Sequence, residues 1–145
     1  MSRDNSPGLR AEAVGLQAIT EMKNRNWEFH DYHIVKFART CWHPRKEIKK
    51  LEGKKIDLII VFDCKSSPLP KGPLILVVQV KSTHKSFKRF SNSPHRKRNI
   101  KCVFIFEGEE IDRVIDELDR IFKEVLGLQC KKNPFLRQRI PIDLL

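Results

Sequence analysis

The sequence predicts an α/β fold in which a central mixed four-stranded sheet is flanked by helices. Three observations lead there. Apolar residues recur at helical spacing near both ends, over residues 9–22 and 111–125. Three short runs rich in β-branched residues lie between them, at 56–64, 74–82 and 100–106. Residues 27–40 add an aromatic and β-branched stretch. The order of helix, strand, strand, strand, basic segment, strand, helix fits a sheet layered with helices.

Ser6-Pro7 marks a helix start, with Ser as N-cap and Pro at the first helical position. Leu9, Ala13, Leu16, Ile19 and Met22 follow at steps of three or four, and the stripe ends near residues 24–26. Residues 27–40, with Trp27, Phe29, Tyr32, Ile34, Val35 and Phe37, read as one strand or a short hairpin. Residues 43–55 are polar and basic and read as a loop or short helical turn. Residues 56–64 and 74–82 are strong strands; the three prolines and one glycine of 66–73 require a turn between them. Residues 83–101 form the most basic stretch, with Phe87 and Phe90 at helical spacing and breakers at Pro94 and Asn99. A strand at 100–106 follows, then a helix at 109–126 with Gly127 as its stop. The expected division is an α/β domain at 1–127 and a basic tail at 128–145. The tail's Phe135, Leu136, Ile140, Ile142 and Leu144 would dock on the domain or a partner.

A chain of 145 residues is the common size of one domain. Its 29 lysines and arginines outnumber 18 acidic residues, for a net charge of +11. Such a chain attracts polyanions, nucleic acid first and an anionic membrane surface second. No apolar run is long enough to span a bilayer, and residues 1–10 lack the apolar core of a secretory signal. Cys41, Cys64, Cys102 and Cys130 are scattered without a CxxC pair, which suits reduced thiols in a cytoplasmic protein. Cys41-Trp42-His43 has no second pair at zinc-ligand spacing, so an ordinary Cys and His are expected there.

Four polar residues interrupt the apolar pattern. Asp57 breaks into the run 56–62, and Gln79 and Lys81 end the strand that starts at Leu74. Gln79 and Lys81 are two apart, so they share a face of that strand. Glu12 lies beside the stripe of the first helix, three residues after Leu9 and four before Leu16. If the two strands pair, Asp57 falls beside Gln79 and Lys81, and the first helix, packed on that same face, brings Glu12 to them. The cluster suits metal-assisted hydrolysis. Mg²⁺ (or Mn²⁺) takes hard oxygen ligands, here Asp57, Glu12, the Gln79 side-chain carbonyl and the Val80 backbone carbonyl. Lys81 would hold the attacking water and steady charge on a phosphate. Each residue alone has a structural explanation, such as a strand leaving the core or a turn-capping Asp; the conjunction favours a site.

The segments Lys55-Ile56-Asp57-Leu58-Ile59-Ile60 and Val78-Gln79-Val80-Lys81-Ser82 resemble the PD-(D/E)xK nuclease signature. That superfamily includes type II restriction enzymes, Holliday-junction resolvases and methyl-directed restriction enzymes. The resemblance spans about residues 7–107 and implies a restriction-endonuclease-like core of helix, three strands, helix and a fourth strand. It implies that Asp57 and Gln79 hold the metal, that Lys81 is catalytic, and that Glu12 matches the acidic residue of the first helix in resolvase-like members. The usual acidic residue of the second element is Gln79 here, which removes a negative charge. Gly53 also stands further from Asp57 than the pattern usually has it.

The basic stretch follows the catalytic strand directly, so Lys85, Lys88, Arg89, Arg96, Lys97 and Arg98 are the expected contacts to a nucleic-acid backbone. Phe87 and Phe90 would stack on unpaired bases or anchor a short helix. The expectation is a Mg²⁺-dependent endonuclease, with DNA ahead of RNA as substrate and a homodimer implied by resemblance only. The alternative is a nuclease-like module that binds nucleic acid or a protein partner without cutting.

Overall fold

The first helix, α1 (Pro7–Asn24), starts where the sequence says it should. Ser6 is extended, its Oγ accepts the Leu9 N–H at 3.2 Å, and Pro7 opens the first turn. Arg25 N–H closes the last turn on Glu21 O, and Asn26 reverses the chain at φ +52°. In this computed structural model the described residues are 6–29, 32–64, 74–91, 100–106, 108–129 and 142–145. The residues of the expected turn at 66–73, the cations Arg96, Lys97 and Arg98, and most of the tail lie outside them.

The strands are β1 (Glu28–Phe29), β2 (Tyr32–Arg39), β3 (Leu58–Cys64), β4 (Leu74–Lys81) and β5 (Lys101–Phe104), in the spatial order β1-β2-β3-β4-β5. The first three pairings are antiparallel and β4–β5 is parallel, so the sheet is mixed. Strands β2–β5 are the expected four. The two-residue β1 folds back on β2, so residues 27–40 form a hairpin and not one strand. The chain crosses from β4 to β5 through α3 (His84–Ser91), and α4 (Ile111–Gln129) closes the fold. Between β2 and β3, α2 (Lys46–Lys49) runs into a 3₁₀ turn (Lys50–Lys54).

Strand alternation sorts the core into two layers. Leu58, Ile60 and Phe62 of β3, with Leu74, Leu76, Val78 and Val80 of β4, pack under α1 and α4. Ile59, Ile75 and Val77 face the other way, onto Ile48, Leu51, Ile56, Phe90 and Ile100. The chain's end, Leu144 and Leu145, packs on this second layer. The α1 face is built from small residues (Ala11, Gly15, Ala18), which lets it approach closely. A Cβ on Gly15 would lie 3.2 Å from Leu58 Cδ1 and 3.3 Å from Ile105 Cδ1.

Two expectations are corrected. Helix α4 runs through Gly127 to Gln129, because its buried stripe continues through Val125 and Leu126. A glycine inside a helix costs only about 1 kcal/mol, so packing overrides the stop signal. Helix α1 packs on the Val78–Val80 face, opposite to the one from which Gln79 and Lys81 project. Among the described residues, no helix is long and apolar enough to cross a membrane.

Phe62 and Phe122 meet edge to face at 5.2 Å, both almost fully buried, and tie the sheet to α4. Phe122→Ala should therefore cost about 3–5 kcal/mol in denaturant unfolding. Phe106→Ala, at a position 42% exposed, should stay within about 0.5 kcal/mol.

Candidate active site

Asp57 stands just before β3, at the end of the sheet where β2 and β4 finish. Its backbone continues the ladder on both sides: Asp57 N–H donates to Val78 O at 2.8 Å, and Asp57 O accepts the Thr40 N–H at 3.0 Å. Its side chain makes a third bond. Oδ2 accepts the Val80 N–H at 2.7 Å, filling the ladder position where a bond from the next residue would fall. The register pairs Leu58 with Val78, and Asp57, bonded to Val78 O and Val80 N–H, lies against the two residues that flank Gln79. Asp57 and Gln79 are both buried, at 5% and 7% exposure.

Gln79 and Lys81 share the face of Val77, as their spacing predicts. Gln79 Oε1 is buried and has no hydrogen-bond partner among the described residues. Leaving such an oxygen unpaired is costly. Lys81 is half-buried, with Nζ 5.8 Å from the centre of the Phe90 ring, a cation–π contact that steadies its charge. Its charge acts on Asp57.

Glu12 comes from the opposite layer, on α1, and feels the charge of Asp57. It is buried, and its Oε1 accepts the Arg39 Nε–H at 3.2 Å; Arg39 also donates to Leu9 O at 3.1 Å. Arg39 thereby ties the last residue of β2 to the first turns of α1.

Burial pushes the Glu12 carboxyl up to about 7; the charge of Asp57 raises it further, against Arg39. Burial likewise pushes Asp57 up to about 6, against the Val80 hydrogen bond and the Lys81 charge. Both carboxyls thus sit above their ordinary range because burial strips solvent from the charged form. A divalent cation bound there would favour the ionised forms of both. The donor set fits one: Asp57 Oδ1, the second Glu12 oxygen and the orphaned Gln79 Oε1 are hard oxygen donors on adjoining elements, with the Val80 carbonyl beside them. Among the described residues, no group of three or more His, Cys, Asp or Glu side chains is placed to hold a metal ion.

Four residues escape a reading of the sequence. Arg39 ends an aromatic strand and gives no local hint of its partner 27 residues away. Glu52, on the 3₁₀ turn, raises both Asp57 and Glu12 by its charge. Thr40 donates its hydroxyl to Ile56 O at 2.7 Å and anchors the strand end to the approach of Asp57. Trp42, in the turn that His43 N–H closes on Thr40 O, is 46% exposed at φ +65°, a strained conformation for a bulky side chain. Cys102, paired with Gln79 in the β4–β5 ladder, has its thiol pushed up to about 12 by burial and is a poor nucleophile. Cys41 and Cys102 are free thiols, and His43 Nδ1 accepts the Arg45 N–H at 3.0 Å in a local turn.

Of the expected backbone contacts, Lys85, Lys88 and Arg89 are borne on α3, and all three are exposed. Thr83 caps that helix by accepting the Ser86 N–H at 3.1 Å, and Phe90 anchors it in the second layer. Phe87 leans on Phe104. His84 is exposed, edge-on to Phe104. No family model, curated protein or solved structure matches the chain.

The raised carboxyls fix a sign. Each binds its proton more tightly folded than unfolded, so metal-free stability falls as pH rises from about 4 to about 7. Asp57→Asn keeps an oxygen for Val80 and removes one ionisation. In chelator it should raise stability by on the order of 2 kcal/mol at about pH 8 and leave it unchanged at about pH 4. Urea unfolding at the two pH values checks this.

Proposed function

We propose that the protein is a Mg²⁺- or Mn²⁺-dependent phosphodiesterase of the PD-(D/E)xK type, acting on nucleic acid, with DNA preferred, in the cytoplasm. One observation carries the reading: Asp57 is clamped in the ladder beside Gln79 and its unpartnered oxygen, with Lys81 on the same face. The sequence resemblance and the +11 charge support it.

Asp57, Glu12 and Gln79 would hold the metal, with the Val80 carbonyl as a further neutral donor. Bound there, the metal supplies Lewis-acid stabilisation of a phosphoryl oxygen and makes water a better nucleophile. The rest is the work of the chain's own side chains. Lys81, steadied over Phe90, presents N–H donors to the attacking water and to a non-bridging phosphate oxygen. Water adds to phosphorus, one P–O ester bond breaks, and the leaving oxygen takes up a proton. Arg39 holds Glu12 in its rotamer and offsets part of the negative charge. The α3 cations Lys85, Lys88 and Arg89 begin four residues beyond Lys81 and grip flanking phosphates.

A second reading rests on the neutral Gln79: a nuclease-like module that binds nucleic acid and does not cut it. It predicts binding without metal uptake.

Labelled single-stranded, duplex and four-way-junction DNA, incubated with Mg²⁺ or Mn²⁺, separates the two. The parent should cut at least one of them, and Lys81→Ala and Asp57→Ala should each lower the rate by about 100-fold or more while binding survives. Cleavage that persists in both variants, or none with either metal, overturns the catalytic reading. Mg²⁺ should also raise the thermal midpoint of the parent and leave that of Asp57→Ala unmoved.

A further inference from the structure

The segment between β2 and β3 carries a group of cations that the motif does not account for. Residues 45–55 hold six of them, Arg45, Lys46, Lys49, Lys50, Lys54 and Lys55, against two carboxylates. The inner side of the segment is fixed, since Ile48 and Leu51 are buried in the second core layer. The outer side is open. Lys46, Lys49 and Lys50 line a shallow depression of about 560 Å³ with Glu52 and Gly53. None of these three lysines makes an ion pair among the described residues.

Charge is distributed unevenly over the two layers. On the α4 side, residues 109–124 carry seven carboxylates against three cations. There Arg120 pairs with Glu117 and Glu124, and Lys123 with Asp119. The α2 and α3 side carries the uncompensated cations. The depression is also joined to the site along the chain. From Glu52 the chain reaches Asp57 in five residues, through Lys55 at φ +67° and an Ile56 N–H bond to Leu51 O. The charge of Glu52 is felt at both Asp57 and Glu12. Asp57 and Gln79 therefore lie between two cationic walls, α2 with its 3₁₀ turn on one flank and α3 on the other.

We propose that Lys46, Lys49 and Lys50 form a second phosphate-binding site, which takes the nucleic-acid backbone on the flank of the scissile phosphate opposite to α3. The inference rests on the nucleic-acid-binding half of the proposed function and not on cleavage. It implies a substrate that continues on both sides of the cut, held across the α2–α3 face with α4 turned away.

The test is binding of a fluorescein-labelled DNA duplex, followed by anisotropy in chelator between about 50 and 200 mM salt. The triple variant Lys46→Gln, Lys49→Gln, Lys50→Gln is compared with the parent and with a control, Lys23→Gln, Arg25→Gln, Arg113→Gln, whose cations lie on the other layer. Every cation that neutralises a phosphate adds about 0.9 to the slope of log affinity against log salt, and its removal takes that amount away. The depression variant should show a slope smaller by about 2 to 3 and the control one smaller by less than about 1, with circular dichroism unchanged in both. Parent-like behaviour of the depression variant, or an equal decrease in the control, overturns this site while leaving the proposed function standing. A parent that binds no DNA overturns both.

Discussion

The carboxylate of Asp57 replaces a piece of β-ladder. A backbone N–H at Val80, buried at the sheet's end, needs an acceptor, and Oδ2 of Asp57 is that acceptor at 2.7 Å. An apolar residue at 57 would leave Val80 unpaired and let β3 and β4 part at the point where Thr40, Asp57 and Gln79 stand side by side. The place of Asp57 beside the residues that flank Gln79 depends on this bond. A residue fixed by three hydrogen bonds through N–H, C=O and side chain has almost no freedom left to lose on binding a ligand.

The site draws on both layers of the fold, and each layer contributes a different kind of group. The α1 layer supplies Glu12, and it does so because Ala11, Gly15 and Ala18 let the helix lie close to Leu58 and Ile105. Arg39 then fixes the carboxylate at the sheet's end. The opposite layer supplies Lys81 and the exposed cations, with Phe90 serving both as the anchor of α3 and as the ring under Lys81 Nζ. Negative charge thus concentrates in the buried end of the sheet, and positive charge around it on one outer face.

Much of this is legible in the sequence, and the part that is not has a common cause. The apolar periods locate every long helix and strand, Ser6-Pro7 places the start of α1, and alternation puts Gln79 and Lys81 on one face. Alternation does not say which helix covers which face. The expectation that α1 covers the face of Gln79 therefore fails, and Glu12 pairs instead with Arg39 at the end of β2. Arg39 and Glu52 act through partners distant in sequence, and no local pattern marks such residues. Gly127 signals a stop by its propensity alone, which the buried stripe of α4 overrides. The sequence leaves residues 27–40 open between strand and hairpin because a pairing as short as β1 has little pattern of its own; the left-handed Asn26 that leads into it is set by the helix end.

The neutral residue at 79 follows from the burial of its neighbours. Asp57 and Glu12 already sit with raised pKa values, each acting against ionisation in a poorly solvated end of the sheet. A third carboxylate at a position only 7% exposed would lift all three further, and the metal-free protein would bear that cost at neutral pH. An amide at 79 presents an oxygen in the same place without a charge. The negative potential that it forgoes is partly returned by Glu52, whose carboxylate is exposed and therefore cheap to ionise, yet close enough to act on both buried acids. An amide in the sheet and an exposed carboxylate on the 3₁₀ turn thus divide what two buried charges would have to do at greater cost.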